Sequence, residues 1–408
     1  MEELFRLTSL DEAKKKISLC WKVTEKIEKI NVLNALGRVL AEDVLAGSDV
    51  PGFDRSTVDG YAVQSISTFG ATEAMPAYVK IIGHITMGKS AEVTVGLGEG
   101  AAVSTGGMLP KKADAMVMIE YTEELGSREI AITRPVSPGE NIIKCGEDIK
   151  TGDVLLKKGH RLRPQDLGML ASLGILQVLV LSPYRVGIIS TGNEIVPPDR
   201  TPKEGQVRDI NSYTLYGLAQ KSGAIPTLYG IVKDDLEELQ AAVEKALAQN
   251  DMVLLSGGSS VGVRDYTVAV LSDLGEPGLL LHGIPIKPGK PTVIAAVGGK
   301  LLFGLPGHPV SAMIVYDILV HPLLYANSYR TKLEAGVQAK LSRNLASATG
   351  REDHIRVKLV MKEDGLWAEP VLGKSGLIST LVEADGKIII PENREGLAVG
   401  EMVNVKIL

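Results

Sequence analysis

Four polar segments, each following an apolar run, carry the residues of this 408-residue chain best suited to chemistry. Thr191-Gly-Asn-Glu194 follows RVGIIS, and Lys233-Asp234-Asp235 follows the apolar residues 227–232. Gly257-Gly258-Ser259-Ser260-Val-Gly262 follows DMVLLS, with Asp265 just beyond, and Pro306-Gly-His-Pro309 follows LLFGL. Glycine and serine N–H groups at a helix start attract an anion, because unpaired donors and the helix dipole act together. Carboxylates beside a phosphate repel it unless a hard divalent cation such as Mg2+ bridges them. The combination points to a phosphorylated ligand with a bound cation. Lys287-Pro-Gly-Lys290-Pro291 adds two cations on a proline-stiffened turn, a ready anion cradle. Taken singly, each motif is an ordinary βα turn with an N-cap. Four of them at strand ends indicate one crevice.

Two other matches fail on context. Gly83-His-Ile-Thr-Met-Gly88-Lys89-Ser90 fits the P-loop pattern, but a P-loop opens a helix and here AEVTVGLG follows, a β-type sequence. The 257–262 loop has Ser259 where a dinucleotide fingerprint needs its second glycine. His282, His308 and the other four histidines show no metal-ligand spacing.

The elements that must carry these segments are legible from periodicity. From residue 184 onward, near-continuous apolar strands (185–190, 227–232, 251–256, 292–296, 301–305) alternate with helices (212–222, 235–248, 265–274 and one from 309), the pattern of a parallel, doubly wound sheet. Residues 60–145 alternate in period 2 with frequent glycine, a small β-rich unit. Before it, Ser9-Leu-Asp-Glu12 reads as a capping box opening an amphipathic helix that ends near residue 31, with a second short helix over 34–44. Residues 164–174 read as a helix with proline first and glycine just past its end. The last 75 or so residues return to short alternating strands, a terminal β-barrel-like domain. The expected class is therefore α/β multidomain: 1–48 with 150–183 as a discontinuous α-containing domain, 49–149 as a β-rich insert, 184–330 as the doubly wound domain and 331–408 as the C-terminal β domain.

Composition narrows the function. The net charge of −5, without a long basic run, argues against nucleic acid as partner. The apolar stretches fall well short of the roughly 20 residues that span a bilayer. Two isolated cysteines, Cys20 and Cys145, argue against a thiolate metal site or a disulfide framework and fit a cytoplasmic protein.

In order along the chain, PGFDRSTVDGYA (51–62), Ser104-Thr105-Gly106 with Leu109-Pro110, PQDLGMLASLG (164–174), STGNE (190–194), Asp234-Asp235, SGGSSVG (256–262), Asp265-Tyr266, KPGKP (287–291) and GLPGHPVS (304–311) strongly resemble the MoeA/gephyrin family of molybdopterin molybdotransferases. The resemblance implies that the doubly wound domain binds molybdopterin. It also implies an elongated four-domain subunit, and a homodimer whose cleft lies between the β insert of one subunit and the doubly wound domain of the other. The implied reaction is insertion of molybdate into adenylylated molybdopterin with release of AMP, requiring Mg2+. By position, Asp59, Thr105, Glu194, Asp234 and Asp265 match the family's functional polar residues, and Pro306 and Pro309 its site-shaping prolines. Asp59, Asp234 and Asp265 are then expected at Mg2+ or at water, and Glu194 at the pterin or phosphate. Lys287 and Lys290 would neutralise phosphate or molybdate, and Ser375 with Arg351 or Arg356 would help hold molybdate. The chain departs from some relatives in having His308 where they have Asn, and His282-Gly-Ile284 where they carry a lysine. The resemblance leaves open a tungstate-inserting paralogue and a non-catalytic, gephyrin-like binding scaffold. A hand-off from the molybdopterin adenylyltransferase is a further expectation.

Overall fold

A computed structural model describes residues 7–126, 128–257, 264–325 and 336–408. The first helix, α1 (Leu10–Cys20), is shorter than its apolar pattern predicts. The Ser9 hydroxyl accepts from the Glu12 N–H at 3.3 Å, and the helix stops before Ile27–Asn31, which is a strand. That segment pairs antiparallel with Gln177–Leu181, so strand pairing overrides a weak helical period. The short helix expected over 34–44 is also absent. Val32–Asn34 forms a single 3-10 turn, and the chain then makes isolated bridges at Val39 and Leu40. α2 (Pro164–Ser172) forms as expected, with Pro164 at its first turn. The Asp166 carboxylate accepts from the Arg163 N–H at 2.8 Å, closing that helix start.

The β-rich segment forms a six-stranded sheet ordered Ala115–Met118, Gly60–Val63, Glu99–Val103, Ala77–Ile85, Glu129–Ile132 and Thr122–Glu124. Gly83 lies inside the Ala77–Ile85 strand, and no helix follows, so the P-loop match is a coincidence of letters.

The doubly wound unit holds β1 (Arg185–Thr191), β2 (Ile225–Val232), β3 (Met252–Gly257), β4 (Pro277–His282), β5 (Val293–Val297) and β6 (Lys300–Leu305). Their order across the sheet is β2-β1-β3-β6-β5-β4. β2, β1, β3 and β6 are mutually parallel. β5 runs antiparallel to both neighbours, because only Gly298-Gly299 separates it from β6 and a parallel return needs a long crossover. Helices α3 (Asn211–Lys221), α4 (Leu236–Gln249), α5 (Arg264–Asp273) and α6 (Pro309–Val315) cover the faces. Alternate strand residues divide the core. Ile188, Leu254 and Phe303 pack with Leu215 of α3, Val315 of α6 and Ile17 of α1. Ile189, Val253 and Leu302 pack on the other face with Val243 of α4 and Leu271 of α5. Complete burial of each such side chain contributes about 1.5–3 kcal/mol.

At the C-terminus, Val337–Leu341, Glu352–Lys362, Gly365–Pro370, Gly386–Ile390 and Met402–Ile407 close into a five-stranded barrel, the ring shut by pairing of Glu352–Lys362 with Gly386–Ile390. It meets the doubly wound unit where Ile286–Lys287 pairs with Glu352–Asp353, and where buried Lys387 forms an ion pair with Asp317 of the π turn after α6.

Candidate active site

The order of the central sheet decides where a ligand fits. The helix after β1 leads to β2 at one edge, whereas the helix after β2 crosses to β3 on the other side of β1. The chain therefore reverses between β1 and β3, and a crevice opens at their carboxyl ends. The four motif-bearing strands lie side by side, so their following loops share this edge.

Asp234 is the best-fixed carboxylate there. Its oxygens accept from the Thr191 hydroxyl and the Asn193 N–H, both at 3.1 Å, and the Asn193 side chain accepts the Asp234 N–H at 3.3 Å. The neighbouring Asp235 does something else: it caps α4, accepting from the N–H groups of Glu237 and Glu238 at 3.0 and 2.9 Å. The Glu194 carboxylate folds back over Gly192, where a Cβ would lie 2.8 Å from its oxygen. Gly257 crosses between strand ends with φ +121°, and a Cβ there would stand 1.9 Å from the Thr191 carbonyl. Its glycine identity is thus imposed by backbone contact as well as by any ligand. Gly258, Ser259, Ser260 and Gly262 lie outside the described residues, and only the backbone of Asp265, in the first turn of α5, is described.

A residue that the motifs did not reveal ties the loops together. Asn211 is 8% exposed at the start of α3. Its Nδ2 donates to the Ser256 hydroxyl at the end of β3 and to the Gly307 carbonyl, each at 2.7 Å, while its enclosed Oδ1 has no partner among the described residues. Asp209 accepts from the Ser212 N–H and hydroxyl, fixing the same helix start. The Asp209-to-Ser212 spacing is a readable cap, but nothing in the sequence marks Asn211 as a brace between two distant loops. Beside these residues lies a cavity of about 530 Å3, lined among others by Gly192, Asn193, Pro198, Ser212, Tyr213 and Lys233.

Pro306 is buried, and Pro309 opens α6. Between them, His308 Nδ1 lies 3.0 Å from the Ser375 hydroxyl, so the barrel's 373–376 loop touches the crevice rim. Arg356 positions that loop by donating to the Gly373 carbonyl at 3.0 Å, and burial lowers its guanidinium pKa. Arg351 pairs with buried Asp353 (Nε to oxygen 3.0 Å), as does the Lys287 ammonium at 3.7 Å. Lys287 therefore already has a carboxylate beside it, while Lys290 is exposed at the other end of the turn.

Asp59 and Thr105 come together as a second polar pair. The Asp59 oxygens accept from the Thr105 N–H at 2.9 Å and from its hydroxyl at 3.1 Å. Gly60 makes that possible, since a Cβ there would meet the Val117 carbonyl at 1.9 Å. Among the described residues, no three His, Cys, Asp or Glu side chains of one chain group closely enough to hold a metal ion.

Family models match the chain in three pieces: the MoeA N-terminal region, domains I and II, over residues 8–174; a probable molybdopterin binding domain over 187–326; and the MoeA C-terminal region, domain IV, over 338–408. A putative molybdopterin biosynthesis protein of Methanocaldococcus jannaschii is 39% identical over 393 residues, covering 94% of this chain and 93% of that one. The chain belongs to the MoeA family. The molybdopterin molybdenumtransferase of Bacillus subtilis is 33% identical over 404 residues, covering 98% of this chain and 94% of the relative. A solved MoeA structure from Pyrococcus horikoshii superposes with a TM-score of 0.86 at 36% identity, covering 99% and 100% of the two chains. A molybdenum cofactor biosynthesis protein from Pyrococcus furiosus gives 0.61 at 26% identity, covering 99% and 100%. Family membership makes the chain a transferase-class enzyme. No helix among the described residues is long and apolar enough to cross a membrane.

Proposed function

We infer that the chain inserts molybdate into adenylylated molybdopterin, releasing AMP, with Mg2+ as the required cation. The single observation that carries this reading is the crevice where four adjacent parallel strand ends deliver a rigidly held Asp234, the Glu194 carboxylate and the 306–309 turn. The neighbouring cavity of about 530 Å3 falls within the range of small-molecule sites and would take a heterocycle of the substrate. Lys290, with Lys287, would balance phosphate or molybdate charge, Glu194 would orient the pterin or phosphate, and Ser375 would approach molybdate from the barrel side. The Gly257–Gly262 loop would cradle phosphate at the start of α5.

Hard carboxylate oxygens suit Mg2+, and Asp59, Asp234 and Asp265 are the residues that would hold it or its water. The hydrogen bonds to Asp59 and Asp234 leave further lone pairs free on each carboxylate. Bound there, the ion would neutralise the diphosphate charge. Among the described residues one chain brings no three such groups together, and the reading therefore includes a homodimer in which Asp59 and Thr105 of one copy complete the crevice of the other. Support for that assembly comes from the edge strand β2, where Ile225 and Leu228 are 48% and 41% exposed, with Tyr213 60% exposed at the same cavity. The four-part domain division from the sequence, a cytoplasmic setting and delivery of substrate by the adenylyltransferase belong to the same proposal.

The test is AMP release from adenylylated molybdopterin with Mg2+ and molybdate. Turnover by the wild type, with loss of at least about a hundredfold in Asp234→Asn, is expected. A folded wild type that releases no AMP defeats the enzyme reading and leaves a binding scaffold. Replacing molybdate by tungstate in the same assay decides between the two oxyanions.

A further inference from the structure

A second cavity, of about 310 Å3, lies away from the strand-end crevice, between Gly37, Arg38 and Arg161 on one side and Lys221, Gly223 and Leu324 on the other. Three cationic side chains line it. Arg38 is matched, since it pairs with Glu28 and donates to the Leu181 carbonyl at 2.9 Å. Arg161 is not. Its Nη1 donates to the Gly37 carbonyl at 2.6 Å, its guanidinium carbon sits 4.0 Å from the centre of the Tyr325 ring, and its enclosed Nε has no partner among the described residues. Among the described residues no carboxylate forms an ion pair with it, and burial pulls its pKa down. Arg163 and Arg351, by contrast, each find an aspartate.

Holding a guanidinium partly out of water without a counter-ion is costly, and a ring face and one carbonyl compensate only part of that cost. An oxyanion would complete the balance, because a guanidinium offers paired donors in the geometry of phosphate oxygens. Lys221, exposed in the last turn of α3, adds charge at the rim. The end of a helix normally disfavours an anion. Here the carbonyls of Leu218, Ala219 and Gln220 are already taken by the N–H groups of Ser222, Ala224 and Gly223.

We propose that this cavity is an anion site, distinct from the crevice, that takes inorganic phosphate or the phosphate of a small monoester against Arg161, with Lys221 and Arg38 supplying the remaining charge. It does not depend on the reaction assigned above. The experiment is titration calorimetry of the full chain at constant ionic strength, with inorganic phosphate in one arm and glycerol 3-phosphate in the other. Saturable binding is expected in the wild type and in a Lys287→Ala, Lys290→Ala double variant, which removes the cations of the crevice turn. Arg161→Met is expected to weaken it by at least about tenfold, and Lys221→Glu by severalfold. Should Arg161→Met fail to fold by circular dichroism, Lys221→Glu decides, since its side chain is on the surface. Tighter binding of glycerol 3-phosphate identifies a monoester as occupant, and tighter binding of phosphate identifies the free ion. No saturable binding in the wild type, or unchanged affinity in both Arg161→Met and Lys221→Glu, overturns the proposal.

Discussion

Adjacent aspartates in one motif divide two kinds of work. Asp234 is held by Thr191 and Asn193 at the crevice, while Asp235 closes the first turn of α4. Asp235→Ala is therefore expected to lower stability by about 1 kcal/mol in denaturant unfolding with near-normal AMP release, whereas Asp234→Ala should reverse that pattern. Asn211→Ala removes two donated hydrogen bonds from loops that flank the crevice. Stability should fall by about 1–3 kcal/mol, and turnover should drop about tenfold or more in variants still fully folded at the assay temperature. At this scale the sequence offered Glu194 and Asp234 as candidates because polar residues after apolar strands stand out, whereas Asp59, which precedes its strand, was offered only by the family resemblance. It concealed Asn211, whose importance comes from spanning Ser256 and Gly307, which lie 45 and 96 residues away. It also concealed that Lys287 already has Asp353 beside it, a consequence of strand pairing between distant segments.

Among the elements, legibility followed the strength of burial. Five of the six strands of the doubly wound unit are nearly continuous apolar runs, so they and the helices between them could be read to within a residue or two. PGLLLH, which forms β4, escapes notice because its apolar run is only three residues long. The expected parallel pattern does not extend to β5, whose turn into β6 is too short for any crossover. The segment Ile27–Asn31 misled because IEKIN supports either period, and its partner Gln177–Leu181 is nearly 150 residues away. Leu302, fully buried against α4 and α5, tests the two-faced core. Leu302→Ala should cost about 2–5 kcal/mol by chemical denaturation, far more than Leu33→Ala on an 85% exposed side chain.

For the whole molecule, the seam between barrel and doubly wound unit is set to respond to acid. His354 is 3% exposed within the barrel strand that faces Lys387 and Asp317. Burial lowers its pKa, and this outweighs Glu352, whose carboxylate pulls the other way. A histidine depressed in the folded state binds fewer protons there than in the unfolded chain. Its penalty is absent above the ordinary value of 6.5 and grows as pH falls below it. Thermal unfolding should therefore shift downward between about pH 6.5 and pH 5, and His354→Gln should flatten that slope. The placement of Asp59 and Thr105 beside a different sheet from Asp234 has its own consequence for a mixed population. If each crevice borrows the first pair from a neighbouring copy, Asp59→Asn chains and Asp234→Asn chains are each inactive alone. Unfolded and refolded together in equal amounts, they would form hybrids in half of all pairs, each with one crevice free of both lesions. About a quarter of wild-type turnover should then return from two dead parents.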